Sequence, residues 1–120
     1  MPAKGLTVGV RQQPGAAIID LAGEIDGFAE ESLNTAYLEA EGATGKAILL
    51  NFAGVEYINS SGIALIVGLL TRARNSGRRL MACGLSEHYV EIFTITRLAD
   101  FMAVFPDEAT ALAAVSQGVD

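Results

Sequence analysis

The stretch Lys46-Ala47-Ile48-Leu49-Leu50-Asn51-Phe52, followed by Gly54-Val55-Glu56-Tyr57-Ile58 and then Asn59-Ser60-Ser61-Gly62-Ile63, decides the fold. The first part is a short apolar run bounded by Gly45 and Gly54, which suits a strand covered on both faces, as parallel strands are. Beyond it, Ile63, Ile66, Val67 and Leu70 recur at helical spacing, so a second helix follows Ser60 and Ser61. That helix closes on Arg72, Arg74 and Asn75-Ser76-Gly77, with cations and glycine where helix ends favour them. A buried strand that turns directly into a helix is the unit of an α/β fold.

On the amino-terminal side, Val8 and Val10 alternate with permissive residues, and Gln13-Pro14-Gly15 supplies turn chemistry before the apolar run Ala16 to Leu21. This predicts a β-hairpin. Gly23-Glu24-Ile25-Asp26 then reads as a strand-to-helix connection, and Leu33, Ala36, Tyr37 and Ala40 form the stripe of a first helix over roughly Phe28 to Glu41. On the carboxyl-terminal side, Arg79 to Cys83 predicts a strand, Ser86 caps a helix reaching about Ile95, Phe101 to Phe105 predicts a last strand, and Pro106-Asp107 opens a final helix. The order ββαβαβαβα predicts a single α/β domain over residues 1–120. Its sheet is mixed and mostly parallel, with an N-terminal hairpin and about four helices, and residues 1–5 are expected to be flexible.

A chain of 120 residues should bury roughly two-thirds of its unfolded surface around one core. With 51% apolar and 18% charged residues it is not a disordered chain. Its longest apolar stretch, Gly62 to Leu70, falls short of a membrane span, and Met1 to Gly5 begin no secretory signal, so the expected location is cytoplasmic. A formal net charge of −6 opposes direct nucleic-acid binding and adhesion to anionic lipid, which leaves protein as the expected partner. The lone Cys83 reads as core.

Two loops carry the candidate chemistry. Ser60 and Ser61 stand at a helix start, where unpaired amides and the helix dipole stabilise an anion, although serine there is also simply a good N-cap. If the strands before the two loops are parallel neighbours, Asp26 stands near Ser60 at the carboxyl edge of the sheet, where it either contacts that hydroxyl or a partner, or caps the first helix. Both readings of Asp26 stay open.

Gly23-Glu24-Ile25-Asp26, the strand Ala47 to Phe52, Ile58-Asn59-Ser60-Ser61-Gly62-Ile63, Gly84-Leu85-Ser86 and Phe105-Pro106-Asp107-Glu108-Ala109 together resemble the anti-sigma-factor antagonist (STAS) family over nearly the whole chain. The resemblance implies partner switching. A partner that is both anti-sigma factor and serine kinase binds the unmodified antagonist, phosphorylates it on the first serine of an Asp-Ser-Ser-Gly motif, and then lets go. By resemblance the acceptor is Ser60, with Asp26, Asn59, Ser61 and Gly62 in the partner-binding surface. Two departures stand out. Asn59 replaces the aspartate before the acceptor, keeping the turn but removing a charge that a kinase could read, and Arg97 stands where the family often ends a helix with glycine. The alternative is a non-phosphorylated scaffold or assembly subunit of a signalling or transporter complex. Oligomeric state is left open.

Other chemistries fail on their residues. Gly-x-Ser-x-Gly is not matched around either serine, and the single histidine, His88, lies elsewhere and reads as a surface residue, so no hydrolase and no metal site is expected. Gly42-Ala43-Thr44-Gly45-Lys46 echoes a phosphate loop but runs from helix to strand, the wrong direction, so no cofactor is expected. Arg72, Arg74, Arg78 and Arg79 read as a solvated helix end, with contact to a partner as the second reading. In the second helix, Leu65 and Leu69 are expected to be buried, or else to form an exposed apolar interface.

Overall fold

A computed structural model describes residues 5–42 and 46–116. The phosphate-loop echo at residues 43–45 and the expected flexible residues 1–4 lie outside the described residues. Gly5 is held, its carbonyl accepting from Glu24 N at 3.3 Å.

The elements follow the predicted order: β1 (Leu6–Gln13), β2 (Ala16–Ile25), a short 3-10 turn (Gly27–Ala29), α1 (Glu30–Glu41), β3 (Ala47–Ile58), α2 (Ser60–Asn75), β4 (Arg79–Cys83), α3 (Glu87–Ile95), a second 3-10 turn (Leu98–Asp100), β5 (Ala103–Phe105) and α4 (Glu108–Ser116). The five strands lie in sequence order in one sheet, β1 antiparallel to β2 and every later pair parallel. The expected mixed, mostly parallel sheet with its amino-terminal hairpin is what forms.

Sequential parallel strands joined by crossovers of one hand carry their helices to one face. Accordingly α1, α2 and α3 pack with Ile19, Ile48, Leu50 and Ala82 on that side, while α4 covers Ile18, Leu49 and Met81 on the other through Ala111. The expected single core is thus two, because a sheet buried on both sides separates its alternating side chains. On the α4 side the Arg11 guanidinium joins Asp20 (2.5 Å) to Glu108 (2.6 Å), tying the hairpin to α4. Cys83 is buried as expected, and burial first, with nearby carboxylates, pushes its thiol up to about 11.

Four details differ from the sequence reading. Both β2 and β3 continue through glycines taken as boundaries: Ala22 pairs with Gly54, Gly23 with Val55 and Glu24 with Tyr57, across two register shifts. The strands approach so closely there that a methyl group on Gly54 would sit 3.0 Å from Leu21 O, which is a use of glycine in strands rather than an interruption. Gly23-Glu24-Ile25 is therefore strand, and only Asp26 and Gly27 connect. Val67 is 42% exposed and is not part of the α2 core stripe, which is Gly62, Ile66, Leu69, Leu70 and Ala73. The last strand begins at Ala103, because Phe101 lies in the turn before it, 58% exposed.

The arginines are also not a plain solvated end. Arg72 lies 4.4 Å over the Tyr37 ring and 3.8 Å from Glu41, and Arg78 donates to Glu41 O at 2.7 Å, so together they fasten α1 to α2. Arg97 has φ 68°, the left-handed conformation that explains glycine at this place, at a cost of about 1 kcal/mol for a residue with a Cβ.

Candidate functional site

The site forms where β2 and β3 end side by side. Ile25 and Ile58 are the last register pair, so their following loops meet at the carboxyl edge of the sheet. Asn59 N donates to Ile25 O at 3.1 Å, which ties the start of α2 to the end of β2. Gly62 then packs against that same carbonyl, and a methyl group on Gly62 would overlap it. Only glycine lets the helix come this near, which places Gly62 in the scaffold beneath the surface rather than on it.

The helix start is organised differently from the sequence expectation. Asn59 is the N-cap: its backbone is extended, and its Oδ1 accepts from Gly62 N at 2.9 Å. The third-position amide of the first turn is satisfied by asparagine as well as it would be by aspartate. Ser60 and Ser61 are therefore not caps. Both are exposed residues of the first turn, whose amides are the helix's unspent donors. The capping reading of the serines fails because the residue before them has the extended backbone that a cap requires, together with an oxygen of the right reach.

Asp26 caps locally, its Oδ1 accepting from Phe28 N at 2.9 Å at the start of the 3-10 turn. Its loop adjoins the serines all the same. A methyl group on Gly27 would lie 3.6 Å from Ser61 Cβ, so Ser61 faces the β2–α1 turn. The structure thus brings Asp26, Asn59, Ser60, Ser61 and Gly62 into two touching loops, as expected, while turning the Asp26 carboxylate to the backbone rather than to Ser60.

Several residues beside them were not singled out from the sequence. Phe28 is 96% exposed in the β2–α1 turn. On the other flank a groove of about 340 Å³ opens between α2 and α3, with Ser60 and Asn59 on one wall, His88, Tyr89 and Ile92 on the other, and Tyr57 and Ile63 between them. Tyr89 fixes this wall. Its hydroxyl accepts from Ile58 N at 2.8 Å, satisfying β3 beyond the point where β4 has ended. A phenol reaching a strand from a later helix leaves no local sequence signal. An apolar residue placed off the buried stripe, as Phe28 is relative to Leu33, Ala36, Tyr37 and Ala40, does leave one.

The groove's lining carries no lysine or arginine. A phosphate on Ser60 would depend on the first-turn amides and the helix dipole, which suit an anion. Among the described residues no group of three His, Cys, Asp or Glu side chains is placed to hold a metal ion, and no helix is long and apolar enough to cross a membrane.

Comparison with known proteins agrees with this geometry. An anti-sigma-B factor antagonist of Staphylococcus epidermidis is 29% identical over 86 residues, 72% of this chain and 80% of that protein. The Bacillus cell-fate determinant SpoIIAA in its phosphorylated form superposes with a TM-score of 0.69 at 23% identity, over 91% of this chain and 99% of that one. A sulfate transporter family protein from Wolinella succinogenes superposes with a TM-score of 0.77 at 18% identity, over 89% of each chain. At such identities the two structures speak for the fold alone. The sequence model of the STAS domain, however, matches residues 7–111, including every strand but the first residue of β1 and the whole of the two-loop site, and the chain belongs to the STAS domain family.

Proposed function

We propose that this chain is an anti-sigma-factor antagonist that works by binding rather than catalysis, in the cytoplasm. It docks an anti-sigma factor that is also a serine kinase through the α2 amino terminus and the β2–α1 turn. The kinase transfers the γ-phosphoryl group of ATP to Ser60 Oγ and releases ADP, and the modified antagonist dissociates. The observation that carries this reading is the division of labour at the helix start: Asn59 does the capping, which leaves the exposed Ser60 hydroxyl uncommitted at an anion-tolerant position. The apolar groove and Phe28 flank it with surface that a protein partner would cover. The relatives' name as antagonists supports the same reading.

Asn59 also favours a second reading, a constitutive assembly subunit that is never phosphorylated, because the charge of the family's aspartate is missing. Incubation with the cognate kinase and ATP followed by peptide mapping separates the two. One phosphate on Ser60 is expected. Phosphate on Ser61 would move the acceptor, and stable binding without modification would favour the assembly subunit.

A further inference from the structure

The two edges of the sheet are finished differently. β5 is 3 residues long and is followed at once by Pro106, and a short strand stopped by proline is one way a sheet edge avoids pairing with another chain. β1 runs for 8 residues without proline or lysine, and its register with β2 is unbroken from Leu6–Gly23 to Gln13–Ala16. Its single charge, Arg11, is drawn onto the α4 face by Asp20 and Glu108 and does not guard the edge.

The phase of the ladder tells which backbone groups of β1 are spare. Glu24 N donates to the carbonyl of Gly5, the residue opposite it, so those two form a hydrogen-bonded pair. Such pairs alternate along an antiparallel ladder, which commits Thr7, Gly9, Arg11 and Gln13 to β2 and turns the N–H and C=O of Leu6, Val8, Val10 and Gln12 outward. Among the described residues no strand takes them up. Leu6, Val8 and Val10 also carry apolar side chains that pack on the core under α1, yet they stay only half-buried because the sheet ends beside them.

We propose that a second copy of this chain pairs with β1, antiparallel across a two-fold axis, so that the two sheets become one. An axis at Val8 sets Val8 against its own counterpart and Leu6 against Val10 of the second copy, joining apolar residue to apolar residue through about six backbone hydrogen bonds. The outward strip Leu6, Val8, Val10 is apolar read in either direction, which is what a two-fold axis requires. It carries no charge, so two chains of net charge −6 meet there without a like-charge pair in the strip. A strand of 8 residues is about 27 Å long, and one strand's width along that length buries less than the roughly 1,200 Å² of a standard interface, so the dimer is weak and needs high protein concentration. Ser60 lies two strands inward, after β3, and the pairing does not depend on the proposed phosphorylation.

The test is sedimentation equilibrium of the full chain from about 20 μM to about 2 mM, with amide hydrogen exchange measured at both ends of that range. A monomer–dimer equilibrium with a Kd below about 1 mM is expected. On concentration the Leu6, Val8 and Val10 amides should slow severalfold, while Thr7 and Gly9, already bonded to β2, should not change. Val8→Pro removes an outward N–H and spares the β1–β2 ladder, and Val10→Lys puts a charge on the edge, its stem still able to cover the core. Each variant, shown to be folded by circular dichroism, should weaken association at least about tenfold. The proposal is overturned if the chain is monomeric up to about 2 mM, if it dimerises with the outward β1 amides unchanged, or if both folded variants dimerise as wild type does.

Discussion

Replacing Asn59 separates its role as a helix cap from any role as a recognition residue. Its Oδ1 holds Gly62 N at 2.9 Å, and Gly62 is buried, so water cannot take over when the side chain is truncated. Loss of an N-cap costs about 0.5–2 kcal/mol, and an amide left buried without a partner puts Asn59→Ala in the upper half of that range, about 1.5 kcal/mol. For 120 residues the unfolding entropy near the midpoint is about 0.25 kcal/mol/K, so the expected loss in Tm is about 6 °C. Asn59→Asp behaves otherwise. Aspartate caps as well as asparagine and gains from the helix dipole, against repulsion from neighbouring Asp26, so its Tm should stay within about 2 °C of wild type. Thermal unfolding by circular dichroism reads both. An Asn59→Ala protein as stable as wild type, or an Asn59→Asp protein as unstable as Asn59→Ala, would refute the capping assignment.

Gly62→Ala should cost about 1–3 kcal/mol in chemical denaturation, because the added methyl meets the Ile25 carbonyl carbon and oxygen rather than a side chain that can move; a neutral result would mean that α2 shifts freely on the sheet. The Arg11 hydrogen bonds hold the Asp20 carboxyl below its ordinary value. A depressed carboxylate stabilises the fold above its unfolded pKa of about 3.9 and loses that stabilisation as pH falls through the folded value. The stability difference between wild type and Asp20→Asn should therefore be constant from about pH 7 to 5 and shrink below about pH 4, staying under about 1 kcal/mol because the side chain is 38% exposed. A difference that grew on acidification would contradict this.

Element order was legible because it rests on local pattern: the Leu33, Ala36, Tyr37 and Ala40 stripe, the Pro14-Gly15 turn and the Ser86 cap all recur in the structure. The meeting of the Asp26 and Ser60 loops was legible too, since it follows from two adjacent parallel strands. What escaped depends on tertiary partners. Gly23 and Gly54 read as strand limits until the neighbouring strand supplies a reason for them, and Val67 fits the α2 stripe until the face toward the sheet is known. The capping residue was misplaced by one position because serine and asparagine are nearly equal caps, and only backbone geometry chooses between them. The groove at Ser60 joins residues about thirty positions apart, Tyr57 and Tyr89 among them, and no spacing rule connects those.

The central claim is that Ser60 is the switch, and binding to the cognate anti-sigma kinase tests it most directly. Phosphate there adds about −1.5 to −2 charges at a helix start that tolerates them, so the free protein stays folded, but a partner closing over the two loops must desolvate that charge beside Asp26. Calorimetric titration of the kinase should show Ser60→Asp, which carries less charge than phosphate, binding at least about tenfold more weakly than wild type, roughly 1.4 kcal/mol, with Tm nearly unchanged. Ser60→Ala should bind persistently in the presence of ATP. Equal affinities for Ser60→Asp and wild type, both well folded, would contradict the switch.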